Sequence, residues 1–195
     1  MNRQSRPTDR PAGEAGGSVE RPSAPGGLPR LLDPASLPAY TDALFRAAWA
    51  MCGSRHDAED LVQSTFLQVL RRPRMIRPGY ERAYLLRALR NMHASSYRAQ
   101  SRRPATAPLP DDDLLPAGEP GAFSARELMS AVAGAPPLYR DAVIAVDVLG
   151  LSYREAARAL RTQEKTVATR VHRGRRHVMA QLGERDGQER VAERR

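Results

Sequence analysis

From residue 33 onward, apolar side chains recur every three or four positions in discrete runs, the period that lays one stripe along an α-helix. Asp33-Pro34, a capping side chain followed by proline at the first helical position, opens the first run. Leu37, Tyr40, Leu44, Ala48 and Met51 form its stripe, and Gly53 closes it. Ser54 and Asp57 resemble a capping box and open a second helix, in which Ala58, Leu61, Val62, Thr65, Phe66, Val69 and Leu70 take inward positions. Leu67 breaks the pattern. On a helical wheel it falls opposite the stripe, among Asp60, Gln63, Ser64 and Arg71. A lone exposed leucine ordinarily carries no meaning. In the polar face of so regular a helix it is a candidate docking residue. Pro73 and Pro78 then bracket a loop, Arg72 to Gly79, with Met75 and Ile76 at its centre. A third helix runs from about Tyr80 to Arg98, with Tyr84, Leu85, Ala88, Leu89 and Met92 on its apolar side.

A second group of helices begins at Ser124, which with Glu127 forms a capping box, followed by Leu128 and Val132. Pro136-Pro137 restarts a helix whose Leu138, Ala142, Val143, Val146 and Leu149 are expected to point inward until Gly150 ends it. Ser152 and Glu155 make another capping box, opening a short helix with Ala156, Ala157 and Leu160. After a turn at Arg161 to Gln163, a last helix carries Val167, Val171 and Val178 inward. A short helix, a tight turn and a basic helix make a helix-turn-helix, whose second helix enters the major groove of DNA.

The periodic pattern therefore predicts an all-α chain of two small helical domains, at 33–103 and 124–183. Residues 1–32 are rich in Pro, Gly, Ser and Arg and read as a disordered N-terminal extension. Residues 104–123, with five prolines and the run Asp111, Asp112, Asp113, read as a flexible linker, and 184–195 as a charged disordered tail.

Charge sharpens this picture. The chain carries a net charge of +9, which suits a polyanionic partner. From Arg71 to Arg103 ten arginines face one acid, Glu81, for a net of +9. From Arg161 to Val178 five arginines and Lys165 face only Glu164, for +5, whereas Asp111 to Glu127 nets −4 with five acids and Arg126. Two basic blocks flanking an acidic spacer look like two DNA-contacting surfaces. In the third helix Arg82, Arg87, Arg90, Asn91, His93 and Arg98 lack compensating acids, which argues against a merely solvated face. The one cysteine, Cys52, rules out an intrachain disulfide and reads as a buried core thiol rather than a redox sensor. No apolar run approaches a membrane span, and no signal peptide is recognisable, so no membrane insertion and a cytoplasmic location are expected. No constellation suggests catalysis, a metal or a cofactor: the histidines, His56, His93, His172 and His177, have no convincing carboxylate partner in the sequence.

Three passages resemble the extracytoplasmic-function (ECF) sigma factors of the sigma-70 family. Asp57 to Leu70 (DAEDLVQSTFLQVL) is similar to the family's polymerase-binding helix. Tyr84 to Asn91 (YLLRALRN) is similar to the helix that engages the melted promoter element, and Leu151 to Arg175 to the promoter-reading helix-turn-helix. The resemblance implies a region 2-like domain of three to four helices, a region 4-like domain, and a factor that binds core RNA polymerase and directs promoter recognition, melting and initiation. It implies that Asp57, Asp60, Gln63, Ser64, Leu67 and Arg71 meet the polymerase, mainly its β′ subunit. Met75, Ile76 and Tyr80 would wall an unpaired base of the minus-10 element and Asn91 read its edge, with Arg87, Arg90 and Arg98 also on the DNA. Tyr84, where the family usually has Trp, is taken as core packing. Lys165, Thr166, Ala168, Thr169, Arg170, His172, Arg173 and Arg176 would contact the minus-35 duplex, Arg173 reading guanine and Lys165, Arg170 and Arg176 suiting phosphates. The acidic linker would thread toward the RNA channel of the polymerase. By analogy an anti-sigma factor is a further partner. The sequence departs from the family at Arg161-Thr162-Gln163, where Gly-Ile-Ser is common: glycine tolerates positive φ, and arginine does so at a cost. The competing reading is a helix-turn-helix regulator that binds duplex DNA without joining the polymerase.

Overall fold

The computed structural model describes residues 27–100 and 123–192. The extension through residue 26 and the linker at 104–122, with its aspartate run, lie outside the described residues. Strand β1, Arg30–Leu31, is followed by the cap at Asp33, whose carboxylate accepts the Ala35 N–H at 2.9 Å. The turns that follow, Pro34–Tyr40, are 3₁₀ and pass directly into helix α1, Thr41–Cys52. Pro38 lacks the N–H that an α-helical turn would use, which favours the tighter form. Gly53 ends α1 at φ +75°, its N–H on the Trp49 carbonyl, a left-handed cap that costs glycine nothing. Ser54 Oγ accepts the Asp57 N–H and opens α2, Arg55–Arg71.

The loop after α2 contains strand β2, Met75–Ile76, antiparallel to β1, with Arg30 opposite Ile76 and Leu31 opposite Met75. Strand β1 thus falls inside the stretch that composition reads as disordered. The period-2 alternation buries Ile76 and leaves Met75 62% exposed. Helix α3, Glu81–Gln100, follows. Leu44, Leu61, Val62, Leu85, Leu86 and Leu89 are the buried centre of this half. Thr65, buried among them, satisfies its hydroxyl by donating to the Leu61 carbonyl at 2.7 Å.

In the second half, α4, Ala125–Ala133, opens on a capping box with both arms made: Ser124 N–H to Glu127 Oε2 at 2.6 Å, and Glu127 N–H to Ser124 Oγ at 3.2 Å. Helix α5, Pro137–Val143, widens into a π-helical segment, Ile144–Val148, ended by Gly150 at φ +66°. Leu138 is 56% exposed, not inward. It lies in the first turn of α5, beside exposed Pro136 and Pro137, short of the point where α5 packs on its neighbours. Helix α6, Tyr153–Leu160, and α7, Glu164–Ala192, complete the chain. The backbone stays helical where the charge pattern predicts a disordered tail from 184. Glu, Arg, Gln and Ala are good helix formers, and extending an existing helix needs no new nucleus.

The halves pack on each other. α1 lies along α4 and α3 along α6, and the buried residues of both halves form one continuous cluster. No helix among the described residues is long and apolar enough to cross a membrane.

Candidate nucleic-acid and partner interfaces

The outer face of α2 presents Asp57, Asp60, Gln63, Leu67 and Arg71 as exposed side chains, with Ser64 partly covered. Leu67 is 54% exposed, as the wheel predicts. Leu70 is 46% exposed and corrects the expectation that it points inward. At 100° per residue it sits about 60° from Leu67, at the margin of the core stripe. The two leucines, three residues apart, therefore form one small apolar spot inside a polar rim. His56 does have a carboxylate near it, with Nε2 3.9 Å from Asp60 Oδ2, both groups well exposed.

On α3 the expected base-capture residues divide between two cavities. Met75, Ile76, Tyr80 and Arg87 line one of ≈ 240 Å³, together with Tyr84. Tyr84 is half-buried and also packs on the core, so it serves both surfaces. Asn91 is not part of that lining. It borders a larger cleft of ≈ 1010 Å³ between the two halves, with Arg90, Arg98 and His93. Asn91 lies four residues, about one helical turn, beyond Arg87 along α3.

Two groups of the second half reach these cavities, and neither is visible as a partner in sequence. The Arg158 guanidinium lies 5.0 Å from the Tyr80 ring centroid and donates to its hydroxyl. Asp141 accepts from Arg90, with Nε at 2.8 Å and Nη2 at 2.6 Å from the same oxygen. Burial and the nearby Arg140 hold the His93 imidazole below its ordinary 6.5, against the opposing pull of Asp141. Cys52 is half-buried rather than buried, bordering the cleft. Burial first, then Asp57, pushes its thiol up to about 11 against the opposing Arg140, so it carries little of the thiolate that a redox sensor needs.

The helix-turn-helix forms as its capping signals predict. Ser152 N–H donates to Glu155 Oε2 at 2.9 Å, and Glu155 N–H to Ser152 Oγ at 3.3 Å. Arg161 takes the left-handed conformation, φ 52° and ψ 52°, in the place where the family commonly has glycine. Because Arg161 is exposed and its backbone already meets the glycine-favouring geometry, Arg161→Gly should raise stability by about 0.5–1 kcal/mol, read as a higher urea midpoint at unchanged m. On α7, Val167, Val171, Gly174 and Val178 are buried; Lys165, Thr169, His172, Arg173 and Arg176 are exposed; Thr166, Ala168 and Arg170 are intermediate. Thr169 Oγ1 donates to the Lys165 carbonyl at 3.0 Å, and Arg173 to the Tyr139 hydroxyl at 3.3 Å. Arg175 is tied to Asp147 by two bonds, 3.0 and 2.6 Å, and serves the fold.

These surfaces define a helical chain with a helix-turn-helix in one half and, in the other, a basic helix beside a cavity of ≈ 240 Å³. The family described as Sigma-70 region 2 matches residues 38–103, and Sigma-70, region 4 matches residues 125–178. The ECF RNA polymerase sigma factor SigE of Mycolicibacterium smegmatis is 35% identical over 147 residues, covering 71% of this chain and 57% of that relative, so the chain spans little more than half of its length. The ECF RNA polymerase sigma factor EcfG of Rhodopseudomonas palustris is 31% identical over 147 residues, covering 74% of this chain and 81% of the relative. In fold, the chain is similar to the sigma factor RpoE in complex with the anti-sigma factor NepR from Bartonella quintana, with a TM-score of 0.58 and 22% identity over 76% of this chain and 95% of that one. It is also similar to CnrH in complex with the cytosolic domain of CnrY, at a TM-score of 0.52 and 20% identity over 76% and 85%. The chain belongs to the sigma-70 family, among its ECF members.

Proposed function

We propose that this chain is a sigma factor that binds core RNA polymerase and directs promoter recognition, DNA melting and transcription initiation, with no catalysis of its own. The observation that carries the reading is the presence, on one chain, of three separate surfaces: the Leu67 spot on α2, the small cavity beside α3, and the exposed basic face of α7. In this reading the α2 face, Asp57 to Arg71, docks on the β′ subunit. A minus-10 base enters the cavity against Tyr80, while Arg87 and Arg90 take phosphates and Asn91 meets the strand one turn further along. Lys165, Thr166, Ala168, Thr169, Arg170, His172, Arg173 and Arg176 meet the minus-35 duplex. An anti-sigma factor is the expected regulator, supported by the fold's likeness to a sigma factor captured with one, and the cytoplasm is the compartment in which all of these partners meet.

The test is reconstitution. Core polymerase supplemented with the purified chain should start transcription from a promoter found by mapping start sites after overexpression, and the two should copurify. A chain that binds duplex DNA tightly alone but never joins core polymerase would instead be a simple regulator, leaving Leu67 and the α3 cavity without a purpose. Within the complex, Arg173→Ala should lower discrimination between the cognate minus-35 sequence and a mismatched one by about tenfold, because a bidentate guanine contact is lost. An equal loss on every sequence would make Arg173 a phosphate contact.

A further inference from the structure

The cavity beside α3 owes one wall to a loop that has little of its own to hold it. Between Arg72 and Arg77 the single buried residue is Ile76, at 7% exposure, while Met75 beside it is open to solvent. So exposed a loop has low local stability, and its course has to be set from outside. The element that sets it is β1, which lies ahead of the stretch matching Sigma-70 region 2. β1 pairs antiparallel with β2, Arg30 opposite Ile76 and Leu31 opposite Met75. Ile76 thereby lines two cavities, the one of ≈ 240 Å³ with Met75, Tyr80 and Arg87, and a second of ≈ 40 Å³ with Arg30 and Leu31. β1 is itself held on both sides. After it, the Asp33 carboxylate accepts the Ala35 N–H. Before it, a Cβ at Gly27 would stand 3.1 Å from Pro78 Cγ, so the chain runs tight against the proline that closes the loop. The Arg30 guanidinium also lies 3.9 Å from Glu81, the first residue of α3.

We propose that β1 is part of the minus-10 site: by backbone pairing it fixes β2, so that Met75 and Ile76 stand as a preformed wall when a base arrives. Arg30 and Leu31 are positioning residues that act through their main chain and need not touch DNA. The inference rests on the reading that the cavity takes a base. A wall already in place spares the complex the ordering of the loop, and the saving shows as selectivity for a base in the cavity.

The test uses the full chain on core polymerase and promoter DNA with a single abasic site at each minus-10 position in turn, and reads open-complex formation. In the parent, one position should cost about five- to tenfold, the worth of one stacked base. Along an antiparallel strand only alternate residues turn their N–H toward the partner. Of Arg30→Pro and Leu31→Pro, one should therefore remove the ladder donor and abolish most of that penalty, while the other keeps it in full. Arg30→Ala/Leu31→Ala, which retains both N–H groups, should also keep it. Thermal midpoint and retention on core polymerase should match the parent in all three variants, since both residues are exposed and lie outside the buried cluster. An undiminished penalty in both proline variants overturns the role of β1, as does an equal fall in both or a fall in the alanine pair. A parent that feels no abasic site sinks the base reading itself, whatever the variants do, and the proposal goes with it.

Discussion

Leu67→Asp should leave the circular dichroism spectrum and thermal midpoint of the chain unchanged while weakening capture of core RNA polymerase by about 30-fold or more, the loss of an anchor worth about 2 kcal/mol. Leu67 is 54% exposed and lies outside the buried cluster. Together with Leu70 it makes the apolar centre of a face whose rim is Asp57, Asp60, Gln63 and Arg71, the layout of an interface core inside a polar border. The aspartate removes the anchor and places a charge at the apolar centre of that face. Leu70→Asp should act in the same direction with a smaller loss, being nearer the margin of the face. Retention of the Leu67→Asp chain on immobilised core polymerase at the parent's affinity would discard α2 as the docking helix. Loss of helix content would mean that Leu67 supports the fold.

That such an interface can be read from sequence at all reflects how local its determinants are. The second-half capping boxes, Ser124 with Glu127 and Ser152 with Glu155, bond across three residues, so their spacing alone reveals them. Gly53 and Gly150 end helices at positive φ for equally local reasons. The atypical turn was also legible: arginine at position 161 pointed to strain, and the backbone there is left-handed. What escaped was non-local or at the edge of a pattern. Leu70 and Leu138 lie at a stripe margin and in a first helical turn, where the period gives a direction but not the extent of cover. The β1–β2 pair is two residues long on each side, too short to show alternation amid Pro and Gly. The π-helical widening at Ile144–Val148 has no counterpart in hydrophobic spacing.

The candidate site divides along the same line. Met75, Ile76, Tyr80 and Arg87 are gathered by one loop and two turns of helix, and they do share a cavity. Likeness to a motif groups Asn91 with them, yet the helical rise carries it to the neighbouring cleft. The partners of Tyr80 and Arg90 lie 78 and 51 residues away in sequence, and no periodicity could pair them. The contact between halves is the part of this architecture that only three dimensions reveal, and it decides which of the basic residues are left exposed.

The same contrast between local and tertiary control sets the sign of a second large effect, in α7. Two of its glycines stand in helical backbone, where alanine is ordinarily better by about 1 kcal/mol. At Gly183 nothing lies within 4 Å of an added Cβ, and Gly183→Ala should stabilise by close to that amount. Gly174 faces α5. A Cβ there would stand 2.5 Å from Val143 Cγ2 and 3.1 Å from the Tyr139 carbonyl oxygen, a stiff side chain and a backbone atom that cannot swing aside. Relief requires α5 and α7 to move apart, opening the seam that buries Val143 and Val171. Overpacking of this kind outweighs the propensity gain, so Gly174→Ala should lose about 2–3 kcal/mol net and lower the thermal midpoint by roughly 5–10 °C. Because Tyr139 also holds Arg173, the shift should weaken duplex binding by the isolated chain even below that midpoint. Paired melting curves of Gly174→Ala and Gly183→Ala decide the matter: midpoints that rise together would mean that the α5–α7 seam is slack, whereas opposite shifts would establish that it is closed to within a methyl group.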